Sequence, residues 1–78
     1  MSVEVKFPEV LHDKPEIEGV LSTWFVSDGD RVDEGQLLAE VQVEKAAVEI
    51  SAPTTGVIRI VVSEETVVAQ GSTIAFID

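Results

Sequence analysis

The chain has 78 residues and no cysteine, and its formal net charge is −10, from 15 acidic and 5 basic side chains. This length predicts one domain over residues 1–78, and the absence of thiols excludes disulfides, cysteine nucleophiles and cysteine zinc sites. The charge disfavours nucleic acid and anionic membranes as partners and suits a basic protein surface. No apolar run reaches the roughly 20 residues of a membrane-spanning helix. The N-terminal residues lack a basic region and an apolar core, so we expect no secretory signal and a cytoplasmic location.

The distribution of apolar and polar residues along the chain is typical of short strands separated by turns. Valine and isoleucine are frequent, apolar and polar residues often alternate, and no window carries the 3.6-residue stripe of an amphipathic helix. The predicted strands, in chain order, are Val3–Phe7, Ile17–Val26, Arg31–Val32, Leu37–Val43, Ala46–Ser51, Gly56–Val62, Val67–Val68 and Thr73–Ile77. The sequence therefore predicts an all-β domain.

The second half of the chain resembles the first. Three blocks align in the same order: Val3–Pro8 with Val48–Pro53, Gly19–Leu21 with Gly56–Ile58, and Ser27–Val41 with Ser63–Ile77. Chance matches among valine, glycine and alanine are the alternative, but three collinear blocks favour a true repeat. Two halves of about four strands each predict a flattened β-barrel or sandwich of two four-stranded antiparallel sheets with pseudo-twofold symmetry.

The joint between the two halves is the stretch VQVEKAAVEI, Val41–Ile50, with Glu44 and Lys45 at its centre. Folding the chain there pairs Val43 with Ala46 and continues outward to a Glu40–Glu49 pair. Most residue types tolerate a type I turn, so we expect that turn at Glu44–Lys45. The same symmetry carries this turn onto the chain termini, so we expect Lys45 at the pole opposite them. Taken alone, a lysine in such a turn is most often only a solvated surface residue.

With Lys45 at the tip of a hairpin inside a repeat, the chain resembles the lipoyl domains of the dihydrolipoamide acyltransferases in 2-oxo acid dehydrogenase complexes. The resemblance runs from about Val3 to Ile77. The matching residues are Phe7-Pro8, Gly19–Val26 with Trp24, Gly29-Asp30, Val32, Leu37–Val41, Glu44–Ile50, Pro53, Gly56 and Gly71. In that family the lysine of an Asp-Lys-Ala turn carries lipoic acid in amide linkage. By position that lysine is Lys45, with Glu44 and Ala46 as its turn neighbours.

The resemblance implies a non-catalytic swinging-arm carrier that is monomeric as an isolated domain. It implies loading by a lipoate-protein ligase, acylation by a thiamine-dependent 2-oxo acid decarboxylase, transfer by an acyltransferase core and reoxidation by dihydrolipoamide dehydrogenase. The chemistry then belongs to the cofactor and to the partner enzymes. Three features depart from the family pattern: Glu44 stands in place of Asp, Gln42-Val43 replace an acidic residue and Ser/Thr, and a different loop occupies Glu9–Glu18.

The alternatives to this carrier share its fold or its cofactor. A biotin carrier domain shares the fold, but its lysine usually lies between two methionines, and the only methionine here is Met1. The lipoylated glycine-cleavage carrier is longer and has helices. An unmodified β-barrel that only binds partners is the alternative without a cofactor.

An independent enzyme is disfavoured, because the single histidine, His12, lies in a loop with no predicted nucleophile nearby. The cluster Asp28, Asp30, Asp33 and Glu34 could bind calcium weakly, but it lacks the spacing of a dedicated loop, so we expect no metal site.

Overall fold

The computed structural model describes residues 2–9, 13–14 and 16–78. These residues form eight strands: β1 Val3–Lys6, β2 Gly19–Trp24, β3 Arg31–Val32, β4 Leu37–Val43, β5 Ala46–Ser51, β6 Gly56–Ile60, β7 Thr66–Val68 and β8 Thr73–Ile77. Every predicted strand is present, and four of the eight have the predicted bounds. Within these described ranges, no helix is long and apolar enough to cross a membrane.

The strands form two four-stranded antiparallel sheets. One sheet has the order β1-β8-β6-β3 and the other has the order β5-β4-β2-β7. Each sheet ends in strands with a single hydrogen-bonded neighbour, so the fold is a sandwich. The predicted all-β fold of two sheets is confirmed, while its alternative form as a closed barrel is wrong.

The predicted pseudo-twofold symmetry is visible in the strand orders. Exchanging β1 with β5, β2 with β6, β3 with β7 and β4 with β8 converts one sheet order into the other. The exchange also holds residue by residue, because the pair Val3–Ile77 in the first sheet corresponds to the pair Val48–Val41 in the second. The internal repeat is therefore a repeat of structure, including strand register.

The core lies between the two sheets and draws on both halves. Its largest fully buried side chains are Phe7, Leu21, Leu38, Ile58, Ile74 and Ile77. Leu21 and Ile58 are equivalent under the exchange, as are Leu38 and Ile74, so each half supplies matching apolar side chains. Trp24 is partly buried, and its indole Nε1 donates a hydrogen bond to the Val62 carbonyl at 2.8 Å. Its neighbour Phe25 is 52% exposed, so the two adjacent aromatic side chains have different surroundings.

Equivalent turns follow β2 and β6, and they use different residues for the same backbone conformation. Gly29 has φ +89°, and its counterpart Glu65 has φ +65°. The Gly29 amide donates to the Ile58 carbonyl at 2.8 Å, and the Glu65 amide donates to the Leu21 carbonyl at 2.7 Å. Glycine adopts positive φ freely, whereas a residue with a Cβ is strained there.

We therefore expect Glu65→Gly to stabilise the domain by about 0.5 kcal/mol, the relief of strain outweighing the entropy of a new glycine. The matched change Gly29→Ala should destabilise it by about 1 kcal/mol, since its Cβ would meet open space and only the backbone strain remains. Urea unfolding of both variants measures these changes. Changes of the same sign in the two variants would contradict the assignment of strain.

Candidate functional site

The strands of the β4–β5 hairpin pair in the register that the sequence predicts. Its register pairs Val43 with Ala46, Gln42 with Ala47, Val41 with Val48 and Glu40 with Glu49. Val41, Val43 and Ile50 point into the core and are at most 4% exposed. A slip of one residue would move this apolar set to the solvent face, so the register of the hairpin is strongly specified.

Glu44, Lys45 and Ala46 are all exposed at the tip of this hairpin. The Lys45 amine forms no hydrogen bond and no ion pair with any residue in the described part of the chain. By contrast, the Lys6 amine lies 3.6 Å from the Glu4 carboxylate. The hairpin thus combines a fixed, buried base with a long amine that is free to react or to be modified.

The predicted type I turn is wrong. Glu44, the first central residue, has φ +53°, whereas a type I turn requires a negative φ at that position. A two-residue hairpin favours a primed turn because the twist of a primed turn matches the right-handed twist of the paired strands. The requirement of the hairpin therefore overrides the preference of Glu44.

Gly19, at the start of β2, packs directly against the base of the hairpin. A Cβ at this position would lie 2.6 Å from Val41 Cγ1 and 3.0 Å from Val43 Cγ2. Only glycine lets β2 approach β4 this closely, so Gly19 positions the strand that leads into the turn. The sequence identified Gly19 only within the repeat and the family resemblance. Its equivalence to Gly56 is the signal that could have indicated a structural role.

The described end of the Glu9–Glu18 loop runs straight into Gly19 and so reaches the base of the Lys45 hairpin. The side-chain amide of Gln70 donates to the Ile17 carbonyl at 2.6 Å and to the Lys14 carbonyl at 3.1 Å. His12 lies outside the described residues. The described end of this loop is therefore anchored to Gln70 through its backbone.

The pseudo-twofold exchange carries the turn of the hairpin onto the ends of the chain. There, the Ser2 hydroxyl donates to the Asp78 carboxylate. In the acidic cluster, the Asp28 carboxylate accepts a hydrogen bond from the Ile60 amide at 2.8 Å, and the Asp30 carboxylate accepts one from the Ser27 amide at 2.8 Å. These two carboxylates therefore stabilise the backbone through hydrogen bonds.

Comparison with known proteins agrees with this geometry. Residues 3–77 match the biotin and lipoyl family, described as "Biotin-requiring enzyme". The whole chain is 43% identical to part of the dihydrolipoyllysine-residue acetyltransferase component of the pyruvate dehydrogenase complex of Bacillus subtilis, and it covers 17% of that protein. It is 38% identical to the protein of that name in Staphylococcus aureus and 37% identical to the one in Staphylococcus epidermidis, and it covers 18% of each.

The match extends over nearly all of the chain, and the chain spans less than a fifth of the length of these relatives. The matched region contains the whole all-β sandwich, its internal repeat and the exposed lysine hairpin. The chain belongs to the biotin and lipoyl domain family.

Proposed function

We propose that this domain is a swinging-arm carrier in a 2-oxo acid dehydrogenase complex and that Lys45 bears lipoic acid in amide linkage. The observation that carries the proposal is the Lys45 amine, which is exposed at the tip of a hairpin with a buried base and has no partner among the described residues. An amine in an ion pair would resist acylation, because the pair holds it in its charged, non-nucleophilic form. Lys45 has no such partner among the described residues.

The residues of the chain fit a covalent arm. Lys45 supplies a flexible four-carbon stem, and the buried side chains of Val41 and Val43 fix the point from which that stem swings. The attached dithiolane supplies the redox and acyl-transfer chemistry. The domain therefore needs neither a cysteine nor a catalytic histidine.

Lipoate is favoured over biotin by the immediate context of the lysine. Lys45 lies between Glu44 and Ala46, whereas the related biotin domains place their lysine between methionines. The relatives from Bacillus and Staphylococcus are named for a dihydrolipoyllysine residue. A biotinylated domain would bind streptavidin after treatment with a biotin ligase, and we expect none of this chain to do so.

The partners follow from this assignment. We propose a lipoate-protein ligase as the loading enzyme and a thiamine-dependent decarboxylase as the source of the acyl group, in the cytoplasm. An acyltransferase core would receive the acyl group, and dihydrolipoamide dehydrogenase would restore the disulfide. The relatives' names favour pyruvate as the oxo acid.

Reductive acylation tests the carrier function. The lipoylated domain is incubated with pyruvate, thiamine diphosphate and the decarboxylase of the Bacillus subtilis pyruvate dehydrogenase complex. We expect the intact mass to rise by one acetyl group on one sulfur plus one hydrogen on the other, and we expect no rise when the unlipoylated domain is used. An unchanged mass of the lipoylated domain, with an active decarboxylase, would contradict a carrier role in pyruvate oxidation.

A further inference from the structure

The outer face of the sheet that holds Lys45 carries a continuous uncharged row across all four strands. Ala47, Gln42, Val20 and Val67 are cross-strand neighbours in register, in the order β5-β4-β2-β7. All four are exposed, Val20 by 40% and Val67 by 57%. We call this set the outer row. The outer row lies at the Lys45 end of its sheet, because the Gln42–Ala47 pair is next to the Val43–Ala46 pair that flanks the turn.

The pseudo-twofold symmetry provides an internal comparison for the outer row. The equivalent positions on the other sheet are Ser2, Asp78, Val57 and Arg31. Two of those four are charged, and hydrogen bonds from Ser2 and Arg59 hold the pKa of the Asp78 carboxyl below its usual range. The same scaffold therefore carries an uncharged strip only on the sheet with the lysine hairpin.

The charges on the strands differ between the two sheets in the same way. In the Lys45 sheet the only charged strand residues are Glu40 and Glu49, whereas the other sheet carries Lys6, Arg31, Arg59 and Glu4. Glu40 and Glu49 are direct cross-strand partners, and no cation in the described part of the chain pairs with either. Like charges in this arrangement destabilise a sheet. The pair thus offers a site for an external cation beside the outer row.

We propose that the outer row and the Glu40–Glu49 pair form the docking surface for the decarboxylase that acylates the lipoyl group. This inference rests on the proposed function. Such a surface fits an enzyme face with an apolar patch opposite Val20 and Val67 and an arginine or lysine opposite the two carboxylates. Charge complementarity of this kind sets association rates and suppresses wrong partners.

The charge of Lys45 explains why this occupant is the acylating enzyme rather than the ligase. Amide formation removes the cationic charge of Lys45, which is the only cation on the hairpin. The loaded hairpin then presents Glu40, Glu44 and Glu49 with no compensating charge. A basic surface therefore favours the loaded domain, which is the substrate of the decarboxylase, over the unloaded domain that the ligase must bind.

Val20 and Val57 make a matched pair of test positions, because they are equivalent under the symmetry and are 40% and 42% exposed. Lipoylated Val20→Thr, Val57→Thr and wild-type domains are assayed for reductive acylation by the Bacillus subtilis decarboxylase. We expect Val20→Thr to raise KM about fivefold with kcat unchanged, through loss of apolar contact, and Val57→Thr to leave both constants unchanged. Equal effects at the two positions would overturn the proposal.

The variant Glu49→Gln distinguishes an effect on docking from an effect on the stability of the domain. It removes the repulsion with Glu40, so the thermal midpoint should rise slightly, while KM should rise about threefold and its dependence on salt should weaken. A variant that is more stable and keeps the wild-type KM would overturn the proposal. The proposal would also be overturned if the ligase loaded Val20→Thr more slowly while the decarboxylase acylated it normally. The surface would then belong to the ligase. A lipoylated wild-type domain that the decarboxylase does not acylate would instead refute the proposed function, and this inference with it.

Discussion

Replacing Gly56 with alanine is expected to lower the free energy of unfolding by about 3 kcal/mol, the upper part of the usual range for overpacking. The new Cβ would collide with the backbone carbonyl oxygen of Asp78 and would lie 2.7 Å from Ile77 Cγ2. A backbone atom cannot rotate away as a side chain can, so β6 and the end of β8 would have to separate. For a domain of this size that loss is a large part of the total stability.

The equivalent change Gly19→Ala is expected to cost about 2 kcal/mol, since its closest contact is the side-chain atom Val41 Cγ1, which can shift. Gly19 supports the base of the Lys45 hairpin, whereas Gly56 supports the chain ends. Gly19→Ala should therefore also slow loading at Lys45, and Gly56→Ala should not, at temperatures where both remain folded.

Urea unfolding followed by the fluorescence of Trp24, the single tryptophan, measures these losses. Gly71→Ala is the control, because Gly71 has φ +84° and its Cβ would meet nothing within 4 Å. Backbone strain alone should cost about 1 kcal/mol there. A Gly56→Ala variant as stable as Gly71→Ala would show that the contact with Asp78 relaxes freely.

The strands and their register were predictable because the alternation of apolar and polar residues determines which face each residue occupies. Val41 and Val48 had to share a face, and the observed pair follows from that requirement. The repeat was predictable for the same reason: equivalent residues such as Leu21 and Ile58 fill equivalent places in the core.

Backbone conformation at single residues was not predictable in the same way. Glu44 and Glu65 adopt positive φ although glutamate does not favour it. The twist of the hairpin determines the conformation of Glu44, and the hydrogen bond to the Leu21 carbonyl determines that of Glu65. Local preference is a weak term when several backbone contacts oppose it. A barrel and a sandwich differ in whether the edge strands of the two sheets pair with each other. The sequence of a single strand does not indicate that pairing.

The surface around Lys45 was only partly accessible from sequence. The Glu40–Glu49 pair followed from the hairpin register, but the outer row joins residues from four strands that are distant in sequence. Val20 and Val67 meet only because β2 lies between β4 and β7. Strand order had to be known before that surface could be described.

Lys45→Arg is expected to abolish attachment of lipoate while leaving the fold intact. Arginine keeps the positive charge and a stem of similar length, but its guanidinium is not acylated under conditions that modify an amine. Because Lys45 is exposed and forms no hydrogen bond or ion pair with the residues that the structure describes, the free energy of unfolding should change by less than about 0.5 kcal/mol.

The chain contains its own control for this substitution. Lys6 is also an exposed lysine on a strand, but it lies beside the Glu4 carboxylate rather than at a hairpin tip. Lys6→Arg should leave lipoate attachment unchanged. Equal loss in the two variants would mean that attachment does not depend on the position of the lysine at the hairpin tip.

The most direct test is the intact mass of the domain after incubation with a lipoate-protein ligase, lipoate and ATP. We expect the wild-type chain and Lys6→Arg to gain the mass of one lipoyl group and Lys45→Arg to gain none. A wild-type mass that stays unchanged, or a gain that persists in Lys45→Arg, would contradict the assignment of Lys45 as the lipoyl attachment site.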